Sequence, residues 1–154
     1  MKSLNDLPER RDDRMPSITP ADVLARRRRL TLSGDADGYA GLFAPDAVIE
    51  SPFAPPGAPS VMRGRDAIRE YSRHVMASPL RLEEFEVAEL YQTQDPEVVI
   101  AEMRTTGTLT TTGRSFAAAA LHILRIREGQ IVHLRQFADP RVLDDVIGEP
   151  APAS

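Results

Sequence analysis

The second half of the chain carries four predicted strands that are separated only by short turns. Between residues 80 and 138, apolar and polar side chains alternate with the two-residue period of a strand. Turn signals at Gln94-Asp95-Pro96, Thr112-Gly113 and Glu128-Gly129 divide this segment into strands at about 80–92, 97–108, 114–127 and 130–138. Strands joined by such short connections pair antiparallel. The sequence therefore predicts an antiparallel sheet.

The first half of the chain is predominantly helical. The first helix is predicted from Thr19 to about Leu32, because Thr caps a helix, Pro suits its first turn and Gly34 provides a left-handed stop. Its apolar stripe comprises Val23, Leu24, Arg27 and Leu30. The remaining predictions are a short helix over 35–43, a strand over 47–51, a Pro-rich and Gly-rich loop over 52–64, a helix from Gly64 to about Ser78 and a terminal helix from Asp139 to Gly148.

Helices and sheet each need to bury one face, which predicts a two-layer α+β domain over residues 19–148. A strongly curved sheet leaves space inside, and the run Ala117 to Ala120 places only methyl groups there. The alternative is that a helix packs closely over these alanines. We interpret residues 1–18 as a disordered arm, because they have too few apolar residues to support a core, and residues 149–154 as a tail.

Composition excludes several classes of function. The chain has 154 residues, of which 42% are apolar and 27% charged, and no apolar run approaches the length of a membrane span. No secretory signal is visible, so we expect a cytoplasmic protein. The net charge of −4 is spread among mixed acidic and basic residues, which argues against nucleic acid as a partner. Without cysteine, a histidine pair at ligand spacing or a Gly-rich phosphate loop, we predict neither a metal nor another cofactor.

Two segments, LSGDADGYAGLFAPDAVIESPFAPPGAPSVMRGRDAIREY and EGQIVHLRQFADPRVL, carry a family resemblance. They resemble the SnoaL-like polyketide cyclase branch of the nuclear transport factor 2-like superfamily, and are similar to the phenazine biosynthesis A/B proteins. The resemblance covers residues 20–148. It implies a cone-shaped curved sheet wrapped by N-terminal helices around a pocket, a small-molecule substrate, and usually a homodimer formed through the outer face of the sheet.

The resemblance also suggests site residues, although this chain departs from each relative. A histidine and an acid/base aspartate of the cyclases match His122 and Gln136, which face each other across a hairpin. A histidine and a glutamate of the phenazine proteins match Tyr71 and Gln136. The three functional positions of the related steroid isomerases are occupied by Ser51, Arg27 and Leu121, which disfavours double-bond isomerisation by that route.

The strand EVVIAEMR is largely apolar on both faces, so Glu102 is predicted to be buried with a raised pKa, as a general acid or base. The alternative is that Glu102 and Arg104 pair with cross-strand partners at a dimer face. We interpret Arg26 to Arg29 as a solvated helix face. The predicted pocket walls are Phe43, Ser51, Phe53, Arg104, Ala119 and Leu121.

These residues predict a cofactor-independent cyclase, or a related isomerase or lyase, that acts on a polyketide-like apolar intermediate of bacterial secondary metabolism. The pocket would impose the conformation of the substrate, and four side chains would polarise it: Glu102, His122, Tyr71 and Gln136. A non-catalytic small-molecule-binding protein and an epoxide hydrolase-like enzyme are the alternatives.

Overall fold

The computed structural model of the chain describes residues 18–147. In this part of the chain four helices accompany six strands. The helices are α1 (Pro20–Ser33), α2 (Ala36–Gly41), α3 (Arg65–Met76) and α4 (Pro140–Ile147). The strands are β1 (Phe43–Glu50), β2 (Val61–Arg63), β3 (Leu80–Gln92), β4 (Val98–Leu109), β5 (Arg114–Arg127) and β6 (Gln130–Ala138).

The ends of α1 follow the local chemistry of its sequence. The Thr19 hydroxyl accepts a hydrogen bond from the Asp22 backbone N–H at 3.1 Å, and the Asp22 carboxylate accepts one from the Thr19 N–H at 3.0 Å. This reciprocal arrangement satisfies backbone donors that a helix start leaves unpaired. Gly34 ends the helix with a φ of 72°, a conformation that glycine adopts without steric cost. The predicted first helix is confirmed.

The six strands form one curved, open sheet in the order β2-β1-β6-β5-β4-β3. The four long strands β3 to β6 pair antiparallel with their sequence neighbours, as predicted. Strand β1 instead pairs parallel with β6, so the prediction of a wholly antiparallel sheet is wrong at this pair. A parallel pair requires a long connection between its strands, and α3 together with β3 to β5 provides it.

Two further differences affect the segment between α1 and α3. The second helix ends at Gly41, and Phe43 begins strand β1 rather than closing that helix. The loop that was expected to be irregular contains β2, which pairs antiparallel with β1. The remaining Pro-rich stretch, residues 51–60, contains no helix or strand.

The two faces of the sheet differ in burial. On β4, Val99, Ala101 and Met103 are buried, whereas the residues between them point to the outer face. The inner face packs on buried residues of the helices, including Val23, Leu24 and Ile68. The α+β class with a curved sheet and covering helices is therefore confirmed.

Some predictions fall outside this description. Apart from Ile18, the predicted arm lies outside the described residues, and so do Gly148 and the predicted tail. Across residues 18–147, no helix combines the length and the apolar character that crossing a bilayer requires.

Candidate active site

A cavity lies between the inner face of the sheet and the helices, and it has two adjoining lobes. The arginine lobe, about 640 Å³, reaches Arg27 and Thr31 on α1. The histidine lobe, about 290 Å³, reaches His122 on β5 and the Pro-rich loop. The lobes share the lining residues Met62, Tyr71, Leu80, Leu82, Phe85 and Gln136. These volumes match those of small-molecule sites.

The alanines of β5 divide between the two faces of the sheet. Ala118 and Ala120 line the histidine lobe, whereas Ala117 and Ala119 are exposed on the outer face. Small side chains on the inner face leave the space that the histidine lobe occupies. The alternative of a helix packed closely over all four alanines is therefore wrong, because the strand presents them alternately to opposite faces.

A buried arginine-histidine pair joins the helical layer to the sheet at the cavity. Arg27 and His122 are only 1% and 5% exposed. The Arg27 Nη1 and the His122 Nδ1 lie 2.9 Å apart. Because guanidinium groups only donate hydrogen bonds, the Nδ1 must be the acceptor and the imidazole proton must sit on Nε2. Within residues 18–147 the Nε2–H has no hydrogen-bond partner, so it is available as a donor at the histidine lobe.

Burial of the imidazole lowers the pKa of His122 well below its ordinary value of 6.5, and the positive charge of Arg27 lowers this pKa further. Both effects disfavour the imidazolium ion. At neutral pH His122 is therefore neutral, with its proton held on the nitrogen that faces away from Arg27. In this state its Nε2–H can donate a hydrogen bond, whereas its Nδ1 already accepts one from Arg27.

Lowering the pH below about 6.5 is expected to destabilise the protein through His122. In the unfolded chain this side chain takes up a proton near its ordinary pKa of 6.5, whereas the folded protein keeps it neutral. Each pH unit below that value should therefore remove up to about 1.4 kcal/mol of unfolding free energy, until the lowered pKa of the folded state is reached. Urea unfolding between about pH 7.5 and 5 measures this loss.

The matched control for this titration is His122→Asn, whose side-chain oxygen can still accept from Arg27 but does not titrate. Its unfolding free energy should fall less steeply with acidification than that of the unsubstituted protein. Identical pH profiles of the two proteins would contradict the assignment of a neutral, buried His122.

The arginine of this pair has no carboxylate partner in the described part of the chain. Its guanidinium carbon lies 4.9 Å from the centroid of the Phe85 ring, a favourable cation–π position. Its Nε and the nearby Thr31 hydroxyl are buried, and neither has a hydrogen-bond partner within residues 18–147. The prediction that Arg27 belongs to a solvated helix face is therefore wrong. Its spacing of three and four residues from Leu24 and Val23 places it on the inward face of α1.

The polar residues Tyr71, Gln136 and Ser51 also reach the cavity. Tyr71 on α3 lines both lobes. Gln136 lies opposite His122 on the neighbouring strand, and its Nε2 donates to the Ser51 hydroxyl at 3.2 Å. The structure therefore brings together four predicted polar residues around one cavity: His122, Tyr71, Gln136 and Ser51.

The aromatic wall residues have different positions. Phe53 lines the histidine lobe, where its ring lies 6.0 Å from that of Phe137. Phe43 is fully buried in the core, packs against Tyr39 and is not among the residues that line either lobe. The prediction of Phe43 as a pocket wall is therefore wrong, because β1 begins at this residue and directs it into the core.

Glu102 lies on the outer face of the sheet, away from the cavity. The two-residue period of β4 turns its buried neighbours Ala101 and Met103 inward and Glu102 outward, where it accepts a hydrogen bond from the Tyr91 hydroxyl at 2.9 Å. The prediction of a buried acid or base at Glu102 is wrong. The alternative, a cross-strand partner on the outer face, matches the observed contact with β3.

The outer face also holds three residues that were predicted to line the pocket. Arg104 and Leu121 are exposed on β4 and β5, and the exposed Ala119 on β5 pairs with Arg104 in the register of the sheet. They share the face of Glu102, so their assignment as pocket walls is wrong for the same geometric reason.

The curved sheet, its covering helices and the interior cavity between them define a domain with the nuclear transport factor 2-like fold. A model of the SnoaL-like domain matches residues 26–134. The chain therefore belongs to the SnoaL-like domain family, as the resemblance of its motifs predicts.

Relatives support this family assignment. An uncharacterised PhzA/B-like protein of Pseudomonas aeruginosa is 36% identical over 120 residues, which cover 77% of this chain and 83% of that protein. A candidate isomerase from Bacillus subtilis has the same fold with a TM-score of 0.78 and 27% identity, over 83% of this chain and 91% of the other. A candidate polyketide cyclase from Xanthomonas campestris, at 16% identity, shares the fold with a TM-score of 0.68 over 83% and 96% of the two chains.

Proposed function

We propose that this protein is a cyclase, or a related isomerase, that acts without a cofactor on a bulky apolar carbonyl compound of the polyketide type. The observation that carries the proposal is the neutral His122, whose Nε2–H is free at a cavity large enough for a small organic molecule. Membership of the SnoaL-like family supports the same class of reaction.

The free Nε2–H of His122 is suited to polarise a carbonyl oxygen. Arg27 donates to the opposite nitrogen of the ring and withdraws electron density from it, which strengthens the Nε2–H as a donor. Donors that are held in place before the reaction stabilise negative charge as it develops on a substrate oxygen. Tyr71 and Gln136 line the same cavity and can donate further hydrogen bonds.

The cavity provides donors and shape rather than a strong base. The carboxylate among the described lining residues is Asp139, which accepts hydrogen bonds from Arg141 Nε and Nη2 at 3.0 and 2.8 Å. The side-chain hydrogen bond from Arg141 is the largest cause that lowers the pKa of Asp139 to about 2, and a hydrogen bond from the Arg141 backbone N–H adds to it. A carboxylate this acidic is a weak proton acceptor.

A 1,3-dicarbonyl substrate does not need such a base, because it already contains an enol. In ring closure, the enol carbon forms a bond to a second carbonyl carbon. The enol O–H becomes a ketone as its proton passes to the new alkoxide, so the product is an isomer of the substrate. The oxygen that becomes the alkoxide is the one we place at His122. Holding the two carbons in contact supplies a large part of the rate enhancement.

The test is a mass comparison in extracts of a host strain that lacks this gene and so accumulates the substrate. Incubation with the purified protein is expected to convert one compound into an isomer of equal mass, or into a product lighter by one water if the ring then dehydrates. The Glu102→Gln protein, altered only on the outer face, should convert it equally well.

Three other results would contradict the proposal. A product heavier by one water would indicate epoxide opening. A compound that co-purifies unchanged with the protein would indicate a binding protein. Loss of conversion in Glu102→Gln would indicate that the reaction takes place at the outer face of the sheet.

Several sequence predictions stay predictions. The homodimer is one of them, and the outer face offers exposed Tyr91 and Leu121, 47% and 45% exposed, that a second copy would cover. Residues 18–147 contain no group of three or more His, Asp or Glu side chains arranged to hold a metal. The absence of a cofactor, the lack of a nucleic-acid partner and the cytoplasmic location likewise remain to be tested.

A further inference from the structure

The guanidinium of Arg27 is a buried positive charge that no described side chain neutralises. Arg27 is 1% exposed, and within residues 18–147 it is the buried side chain that carries a charge, since the buried His122 is neutral. Its polar contact is the neutral Nδ1 of His122. Burying an ion without a counter-charge costs several kcal/mol. This arrangement is typical of an anion-binding site.

Other arginines of this chain show which atoms such an anion would contact. Arg28 donates from Nε and Nη2 to the two carboxylate oxygens of Glu86, both at 2.8 Å. Arg141 uses the same two nitrogens on Asp139. In Arg27 the contact to His122 occupies Nη1, whereas Nε has no acceptor and Nη2 makes no hydrogen bond within the described residues. The side of the guanidinium that binds carboxylates elsewhere in this chain is therefore unpaired among the described residues.

Thr31 adds a second unpaired donor beside this free side. Thr31 follows Arg27 by one helical turn on α1, so their side chains lie on the same face of the helix. The Thr31 hydroxyl is buried and has no hydrogen-bond partner among the residues that the structure describes, and both Arg27 and Thr31 line the arginine lobe. Because unsatisfied buried donors are rare in folded proteins, two of them on neighbouring residues that line one cavity indicate a shared acceptor.

We propose that the arginine lobe binds the carboxylate of the substrate, with Arg27 and Thr31 as its donors. This inference rests on the proposed function and narrows it, because the substrate becomes a carboxylic acid with a bulky apolar body rather than a neutral polyketone. A monoanion matches the single buried cation of the lobe, because Arg81, the other arginine that lines it, is exposed. The remainder of the lobe is lined largely by apolar residues, among them Leu32, Val75, Met76 and Leu82, which suit an apolar body.

The two lobes then hold different parts of one molecule. The carboxylate lies at Arg27, and the apolar body passes Tyr71 and Phe85, which line both lobes. The reacting carbonyl lies in the histidine lobe at His122. Arg27 therefore positions the substrate with one side of its guanidinium and polarises His122 with the other.

The test compares two probes with the same apolar body, naphthalene-2-acetate and naphthalene-2-acetamide, by calorimetric titration. The acid carries the carboxylate and the amide does not. Since a hydrogen bond to a charged group contributes about 1.5–3 kcal/mol, the protein is expected to bind the acid about 10-fold to 100-fold more tightly than the amide. In Arg27→Met this preference should fall below about 2-fold, while the affinity for the amide stays within about 3-fold, because methionine keeps the apolar volume.

Two further variants act as controls. Arg28→Met removes the neighbouring exposed arginine, which pairs with Glu86, and should keep the full preference for the acid. Thr31→Val removes only the hydroxyl and should weaken binding of the acid by about 3-fold to 10-fold. Circular dichroism of each variant confirms that it is folded before titration.

Equal affinity for the two probes, a preference that survives in Arg27→Met, or no binding of either probe would overturn the carboxylate site. Equal affinity would not contradict the proposed cyclisation in the cavity. Conversely, a clear preference for the acid together with no isomer in the host extract would support the carboxylate site while the proposed reaction fails.

Discussion

Replacing Arg27 with methionine is expected to raise the free energy of unfolding of the ligand-free protein by about 1–4 kcal/mol. Methionine has a similar length and packs against Phe85, but it brings no charge into the interior. His122 loses its hydrogen-bond donor in this variant, at a cost of about 1 kcal/mol. That cost is smaller than the several kcal/mol required to bury an unpaired guanidinium, so the net change is stabilising. Urea unfolding at neutral pH measures it.

Arg28→Met provides the comparison from the adjacent residue of the same helix. Its guanidinium is half-exposed and paired with Glu86, and such surface pairs contribute about 0–1 kcal/mol. This variant should therefore be unchanged or slightly less stable. A clear loss of stability in Arg27→Met would show that the ligand-free protein already neutralises this guanidinium, and the proposed anion site would be wrong.

A stabilising substitution at Arg27 would also explain why a costly residue occupies this position. Proteins commonly carry groups at functional sites that lower their stability. An anionic ligand that binds only the folded protein raises the free energy of unfolding by mass action, and so offsets the cost of the buried charge. The unsubstituted protein should therefore gain more stability than Arg27→Met from naphthalene-2-acetate.

The strands β3, β5 and β6 were predictable because local chemistry sets where they end. The hairpin between β5 and β6 has positive φ at both central residues, 53° at Glu128 and 78° at Gly129. A two-residue turn of this kind matches the twist of the strands that it joins. The predicted ranges 80–92, 114–127 and 130–138 therefore equal the observed ones.

The position of β1 was not predictable in the same way. Its parallel partner β6 begins about 80 residues later, and the register pairs Ile49 with Leu134. No local signal connects segments so distant in sequence. The short Phe43 to Glu50 segment also directly follows a helix, and apolar residues at its start fit either a last helical turn or a strand.

The positions of the site residues on β4 depend on which face of this strand points inward, and the sequence does not show it. Both faces of this strand are apolar in sequence, since Val98 and Ile100 alternate with Val99 and Ala101. Periodicity determines which residues share a face, but it does not say which face meets the helices. The outward position of Glu102 follows from that choice.

The prediction of a solvated Arg27 was wrong for a different reason. The helical spacing that joins Arg27 to Val23 and Leu24 already placed it on the inward stripe of α1. The general rarity of buried arginine favoured the solvated interpretation, especially within a run of four arginines. A charge on a buried stripe is a stronger indication of a site than the charge run around it suggested, because its desolvation requires a compensating partner.

Replacing His122 with asparagine is expected to lower the rate of substrate conversion by about 10²-fold to 10³-fold, the loss that follows removal of one donor to a developing oxyanion. Asparagine can retain an acceptor for Arg27, so the buried pair stays hydrogen-bonded while the Nε2–H is lost. The rate is measured as kcat/KM on the compound identified in the host extract.

The affinity of the same variant for naphthalene-2-acetate separates chemistry from binding. Since Arg27 and Thr31 remain in place, His122→Asn should bind this probe within about 3-fold of the unsubstituted protein, while its turnover falls. If His122→Asn converts the substrate within about 3-fold of the normal rate, His122 does not take part in the mechanism. Because Asp139, held by Arg141, is a weak base, catalysis would then have to come from the conformation that the cavity imposes on the substrate, with no polarising donor at this position.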